Sequence, residues 1–207
     1  MPKKIRGLTL IELMIAIVLL GMFVLGFYSI DLFSRYHVIS SDKRAKLQNE
    51  ISYALEHMSK YVQQANGNLS RNAIQYYPLG SLPANATGFR VYIDLRNPQT
   101  PADLIDDGYI DYTLSLNTLT VACTANGGTC PFSSENLTDK IIEGVAGDTI
   151  MPETPALDKG FYVKVTDQGM AVDIGLVGKH SPLVAASPDN PQVSMKTRLI
   201  SSCSSAN

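Results

Sequence analysis

One carboxylate, Glu12, stands alone in an uncharged run from Leu8 to Ile30, and it is the residue whose type and place most demand chemistry. A carboxylate in an apolar segment is expensive unless it finds a cation or a hydrogen-bond donor. The residues before the run offer a source. Lys3, Lys4 and Arg6 lead to Gly7, the small residue that resembles a cut site. A cut there removes the basic charges, keeps the apolar run, and exposes an amine on Leu8 close to Glu12. A secretory signal has the opposite layout, with its small-residue site after the apolar region. Here Ser29 is the only small polar residue near the far end, and no A-x-A pattern follows.

The remaining candidates carry less. Cys123 and Cys130 flank the Gly-rich TANGGT and read as a local disulfide in an exported domain, with Cys203 as the alternative partner. Three pairings are open. Closing the short loop contributes about 2–3 kcal/mol by chain entropy. His37, His57 and His180 show no ligand spacing, and the three cysteines need a fourth ligand to hold zinc. Asp94, Asp103, Asp106, Asp107 and Asp111 make an acidic region without a twelve-residue calcium pattern, and they read as solvated turn residues. No G-x-S-x-G, P-loop or dinucleotide fingerprint is present. The expectation is a non-enzyme with no metal and no cofactor.

The elements that position these residues follow from hydropathy. The 23 residues Leu8–Ile30 reach about 34 Å as a helix, enough for a bilayer core. Basic residues precede the run, so the N-terminus is cytoplasmic and the remainder exported. Gly21 and Gly26 weaken this helix by about 1 kcal/mol each and permit close packing. Beyond Asp31 the pattern turns amphipathic: Leu47, Ile51, Ala54, Leu55, Met58, Val62 and Ala65 recur at intervals of three and four. Asn66-Gly67 is a stop signal. One helix is predicted over roughly Leu8 to Ala65, with room for a bend at Ser40-Ser41. His37 and His57 fall on it as surface or interface residues. Strands follow in FRVYIDL, YIDYTLSL, LTVAC, GFYVKVTD, MAVDIGLV and QVSMKTRLI, with turns at Asn117-Thr118 and Asp167 to Gly169. Segments 67–88, 96–108 and 178–191 read as loops. A long helix followed by antiparallel strands means an α+β fold, a sheet laid on the helix. The divisions are 1–7, 8–30, 31–66 and 67–207.

The string KKIRG followed by LTLIEL resembles the class III prepilin signal of the type IV pilin and pseudopilin superfamily. The resemblance covers roughly the first 30 residues. It implies cleavage by a prepilin peptidase between Gly7 and Leu8, N-methylation of Leu8, and Glu12 as the fifth mature residue. It also implies the pilin fold, an inner-membrane anchor at 8–30, and a body in the periplasm or outside the cell. Expected partners are other pilin or pseudopilin subunits and the inner-membrane assembly platform. Pairing of Glu12 with the Leu8 ammonium of a neighbour then penalises axial slip and sets register. Many major pilins carry a proline in this segment; this sequence has none.

The body after Ile30 is large, and with LQNEISYALEHMSKYVQQAN and the terminal VSMKTRLISSC it is similar to W-type minor pilins and J-type minor pseudopilins. Those subunits imply a place in a tip or initiation complex. Two classes of function stand: a structural subunit of a pilus or type II secretion pseudopilus, and a binding module displayed on it for DNA, a surface or a secreted substrate. Nucleic acid is an open partner. Past Ile30 there are 14 basic against 18 acidic side chains, and Tyr76 and Tyr77 near Arg71 and Arg90 are the only hint of a DNA face.

Overall fold

Fifty-four residues, Leu10–Gln63, form one helix, α1, in the computed structural model, which describes residues 9–67, 71–96, 107–156, 158–201 and 203–204. The helix runs through Ser40-Ser41 without interruption and contributes to two compact units that divide between Asp42 and Lys43.

In the first unit α1 buries nothing. Its large apolar side chains are exposed from Leu10 to Ile39, and one window is long and apolar enough to cross a membrane. The polar groups here are satisfied along the helix itself. The Ser29 hydroxyl donates to the Leu25 carbonyl at 2.9 Å, and Arg35 pairs with Asp31 one turn earlier. Among the described residues, apart from the helix's own backbone, no atom lies within 4 Å of where a Cβ on Gly21 or Gly26 would stand.

In the second unit the amphipathic stripe of α1 meets a β-rich layer. Leu47, Ile51, Ala54, Met58, Val62 and Ala65 are buried, as their spacing predicts, and Tyr61 joins them. Leu55 packs at the margin of the core. The helix ends at Gln63 rather than Ala65, because Ala65 leaves it to bridge Ile93. Asn66-Gly67 becomes strand β1, and it pairs in parallel with the terminal β11 (Cys203–Ser204).

The strands make two larger sheets instead of the single sheet expected. In chain order these strands are β2 (Ile74–Tyr77), β3 (Gly88–Ile93), β4 (Gly108–Ser115), β5 (Thr118–Thr124) and β6 (Glu135–Thr138), which form a five-stranded antiparallel sheet in that order. The second sheet has the order β10 (Gln192–Ile200), β9 (Ala171–Lys179), β8 (Phe161–Thr166) and β7 (Val145–Gly147). β7 runs parallel to β8, so the strands are not all antiparallel. Phe89 of β3 joins the sheets, stacked on Tyr112 of β4 at 5.0 Å and 6.2 Å from Phe161 of β8. Close approach at this corner requires Gly88: a Cβ there would stand 1.8 Å from the Tyr112 carbonyl oxygen.

Three sequence expectations shift. β2 lies inside the segment 67–88 read as loop, since four residues beside Pro78 carry too short a pattern to stand out. The β4–β5 turn is Leu116-Asn117, one residue earlier than expected, with Ser115 facing Thr118. β9 continues through Lys179, inside the segment 178–191 read as loop.

Candidate functional site

Glu12 sits in the first turn of α1, where four backbone N–H groups lack helical partners. Thr9 precedes the helix, and both its backbone N–H and its hydroxyl donate to Glu12 Oε2 at 2.9 Å. The Glu12 N–H donates back to Thr9 Oγ1 at 3.4 Å. This is a reciprocal capping box. The Thr-x-x-Glu spacing before an apolar run announces it in the sequence, and the reading of Glu12 as an assembly residue passed over it. The box gives the carboxylate donors within its own chain and sets negative charge against the positive end of the helix dipole. Gly7 and Leu8 lie outside the described residues.

In the body, Cys123 at the end of β5 and Cys130 form a disulfide across the Gly-rich turn, with Cα atoms 5.9 Å apart. Cys203 contributes its backbone to β11. Just beyond the disulfide loop, Phe132 and Glu135 reach α1 at His57. His57 is no surface residue: only 11% of its side chain is accessible. Tyr61, Phe132 and Tyr112 stand 4.9, 5.2 and 5.8 Å from its ring. Its Nδ1 lies 3.1 Å from the Tyr112 hydroxyl, and Nε2 lies 3.6 Å from Glu135. A neutral ring protonated on Nε2 satisfies both contacts.

Burial pulls the His57 pKa below its ordinary value, against the charge of Glu135 and with a further push from Lys60. The sign of the consequence is fixed. The unfolded chain takes up a proton near the ordinary histidine value while the folded body resists it. Stability is therefore intact above that value and is lost as pH falls from it toward the depressed folded value. Chemical denaturation of the full chain at pH 8 and pH 5 is expected to show this loss, at no more than about 1.4 kcal/mol per pH unit for one proton. A His57→Gln variant is expected to have a flatter profile over that interval. An unchanged slope in the variant would remove His57 as the cause.

Two members of the acidic region, Asp107 and Asp111, stand in ion pairs rather than solvated turns, while Asp94 accepts the Arg96 N–H at 3.0 Å. Asp103 and Asp106 lie outside the described residues. Asp111 of β4 receives a bidentate pair from Arg90 of β3, at 2.6 and 2.8 Å. Asp107 has a fully buried side chain that accepts from Arg71 and from the Asn66 amide. The guanidiniums lie against tyrosines, Arg90 at 3.5 Å from the Tyr109 ring and Arg71 at 4.4 Å from the Tyr92 ring. Tyr77 is a further neighbour of Arg90, at 5.6 Å. Tyr76 points elsewhere, its hydroxyl accepting the Val165 N–H at 3.0 Å. Both arginines are engaged by carboxylates, so the hint of a DNA face is withdrawn. No cluster of three or more metal-ligating side chains occurs among the described residues.

What remains distinctive is the first part of α1, Leu10 to Ile30, apolar on every side with its one carboxylate capped at the tip. Residues 2–28 match the family described as the prokaryotic N-terminal methylation motif. The N-terminus of the chain carries the signal of type IV pilin-like proteins. No curated protein and no solved structure matches it. This motif implies processing by a prepilin peptidase and assembly with other pilins. An exposed apolar helix ahead of a folded body fits membrane anchoring followed by incorporation in a pilus.

Proposed function

We propose that this chain is a minor subunit of a type IV pilus or a type II secretion pseudopilus, of the W-type or J-type, acting in a tip or initiation complex. The peptidase cuts between Gly7 and Leu8 and methylates the new amine of Leu8. Residues 8–30 then anchor the subunit in the inner membrane, with the body on the far side. On assembly the apolar surface of α1 is buried against neighbouring helices, and Glu12 exchanges its Thr9 contacts for the Leu8 ammonium of an adjoining subunit.

The observation that carries this reading is the exposure of the large apolar side chains of α1 from Leu10 to Ile30, a stretch whose single charge is Glu12. A bilayer alone asks only for apolar residues. Register between helices asks for a polar group that punishes misplacement, which is what a lone acid at a fixed depth supplies. Glu12→Ala is expected to leave cleavage intact and to lower the amount of subunit in sheared filaments about tenfold, the effect of roughly 1.4 kcal/mol per subunit. Quantitative immunoblotting of sheared and membrane fractions measures both. Wild-type amounts in the sheared fraction would contradict the register role of Glu12.

A further inference from the structure

The seam between the two larger sheets holds a cleft of about 360 Å³ that assembly through α1 leaves unused. Its volume falls in the range of small-molecule sites, roughly 300–1,000 Å³. Asn72, Gln75 and Tyr76 line one side, Gln168 and Gly169 the other, and Ser81 closes an end. None of its lining side chains is charged.

Two features stand out there, the second of them in the loop that closes the β8–β9 hairpin. The Ser81 hydroxyl is shielded from solvent and has no hydrogen-bond partner among the described residues. A buried polar atom left in that state calls for an explanation. Asp167, Gln168 and Gly169 are also left-handed in succession, with φ of 52°, 57° and 82°. For the two non-glycine residues this is a strained conformation, of the kind that gathers at ligand clamps. The turn is held from both sides. Arg198 donates to Asp167 at 2.7 Å, and a Cβ on Gly169 would lie 2.5 Å from the Asn72 Cβ and 2.7 Å from the Ile74 carbonyl oxygen of β2. The result is an exposed Gln168 side chain, which makes no hydrogen bond with another described residue, at the edge of the cleft.

We infer that this cleft binds a neutral polyhydroxylated ligand, a saccharide. Side-chain amides offer a donor and an acceptor on one rigid plane, which suits adjacent sugar hydroxyls, and Ser81 adds a third polar contact. Tyr76 supplies a ring held in place by its bond from Val165. An anionic ligand finds no cation in the lining. The inference goes beyond the assembly reading and does not depend on it.

The test uses the full chain in dodecylphosphocholine micelles, a detergent without a sugar headgroup. Cellotetraose, maltotetraose and chitotetraose are titrated into the millimolar range, with a heparin tetrasaccharide as the anionic comparison. Saturation-transfer NMR is expected to report contact with at least one neutral tetrasaccharide. Gln168→Ala is expected to weaken it about tenfold, the loss of one well-made hydrogen bond. Ser81→Ala separates binding from structure. Removing an unpartnered buried hydroxyl leaves the thermal stability equal or higher, while a ligand contact is lost. Absence of transfer from all three neutral sugars, preference for the heparin fragment, or binding indifferent to both variants overturns the inference.

Discussion

A chain carrying Gly7→Val is expected to accumulate as the uncleaved precursor, heavier than the mature subunit by its seven leader residues, and to be missing from filaments. The physical argument has two parts. Glycine lacks a Cβ and lets the backbone approach an enzyme closely, and valine at the same place blocks that approach with a branched side chain. The uncut chain then has no amine at Leu8, so Glu12 has no cation to meet in a neighbouring helix. It also keeps Lys3, Lys4 and Arg6, each costing about 2.5–3.5 kcal/mol at the centre of a bilayer. Three such charges oppose any movement of the helix out of the membrane. Intact-mass analysis of the membrane and sheared fractions reads the outcome. Recovery of a species beginning at Leu8 from the variant, or of filaments containing a subunit that begins at Met1, would refute this account of the leader.

The second large effect lies in the body. Asp111→Ala strands Arg90, whose side chain is only 11% accessible and whose carboxylate partner is 13% accessible. Burial works against the charge on Arg90, but the hydrogen bonds and charge of Asp111 outweigh it, and the pKa is raised. Removing one partner of a buried pair leaves the other charge uncompensated, at a cost of about 3–5 kcal/mol. For a body of this size that corresponds to a fall in melting temperature of about 6–20 °C. Near-ultraviolet circular dichroism of the full chain follows the tyrosines of this sheet and so reports the melting of the body. The double variant Arg90→Met, Asp111→Leu removes both charges, keeps apolar bulk over Tyr109, and is expected to recover most of the loss. A single variant that melts within a degree of the parent would show that the pair behaves as a surface ion pair.

Periodicity located α1 because a helix that crosses a bilayer and then lies on a sheet must show two patterns in turn: apolar all round, then apolar on one stripe. Leu47 to Val62 obeyed the second because that stripe is the face of α1 buried in the core of the body. The longer strands were legible too: β4, β5 and β10 alternate because one face is buried, and β3, β8 and β9 are apolar runs buried on successive residues. β2, β6 and β7 were not legible. Each has three or four residues, and its pairing partner rather than its own composition makes it a strand. Of the surface and interface readings of His57 the structure favours the second: helical position places it beside the stripe, and its burial comes from Phe132 and Tyr112, 75 and 55 residues away in sequence.

The chain by itself carries the N-terminal motif: Gly7, Leu8, the lone Glu12 and the apolar run are contiguous, and the match over residues 2–28 depends on order and spacing alone. Tertiary structure decided everything that joins distant segments. It chose Cys130 as the partner of Cys123, turned Asp107 and Asp111 from solvated acids into partners of Arg71 and Arg90, and set Gln168 across a cleft from Asn72. Local patterns record which face of an element is buried. They do not record which other element comes to lie on it, and charge, burial and ligand access are set by that meeting.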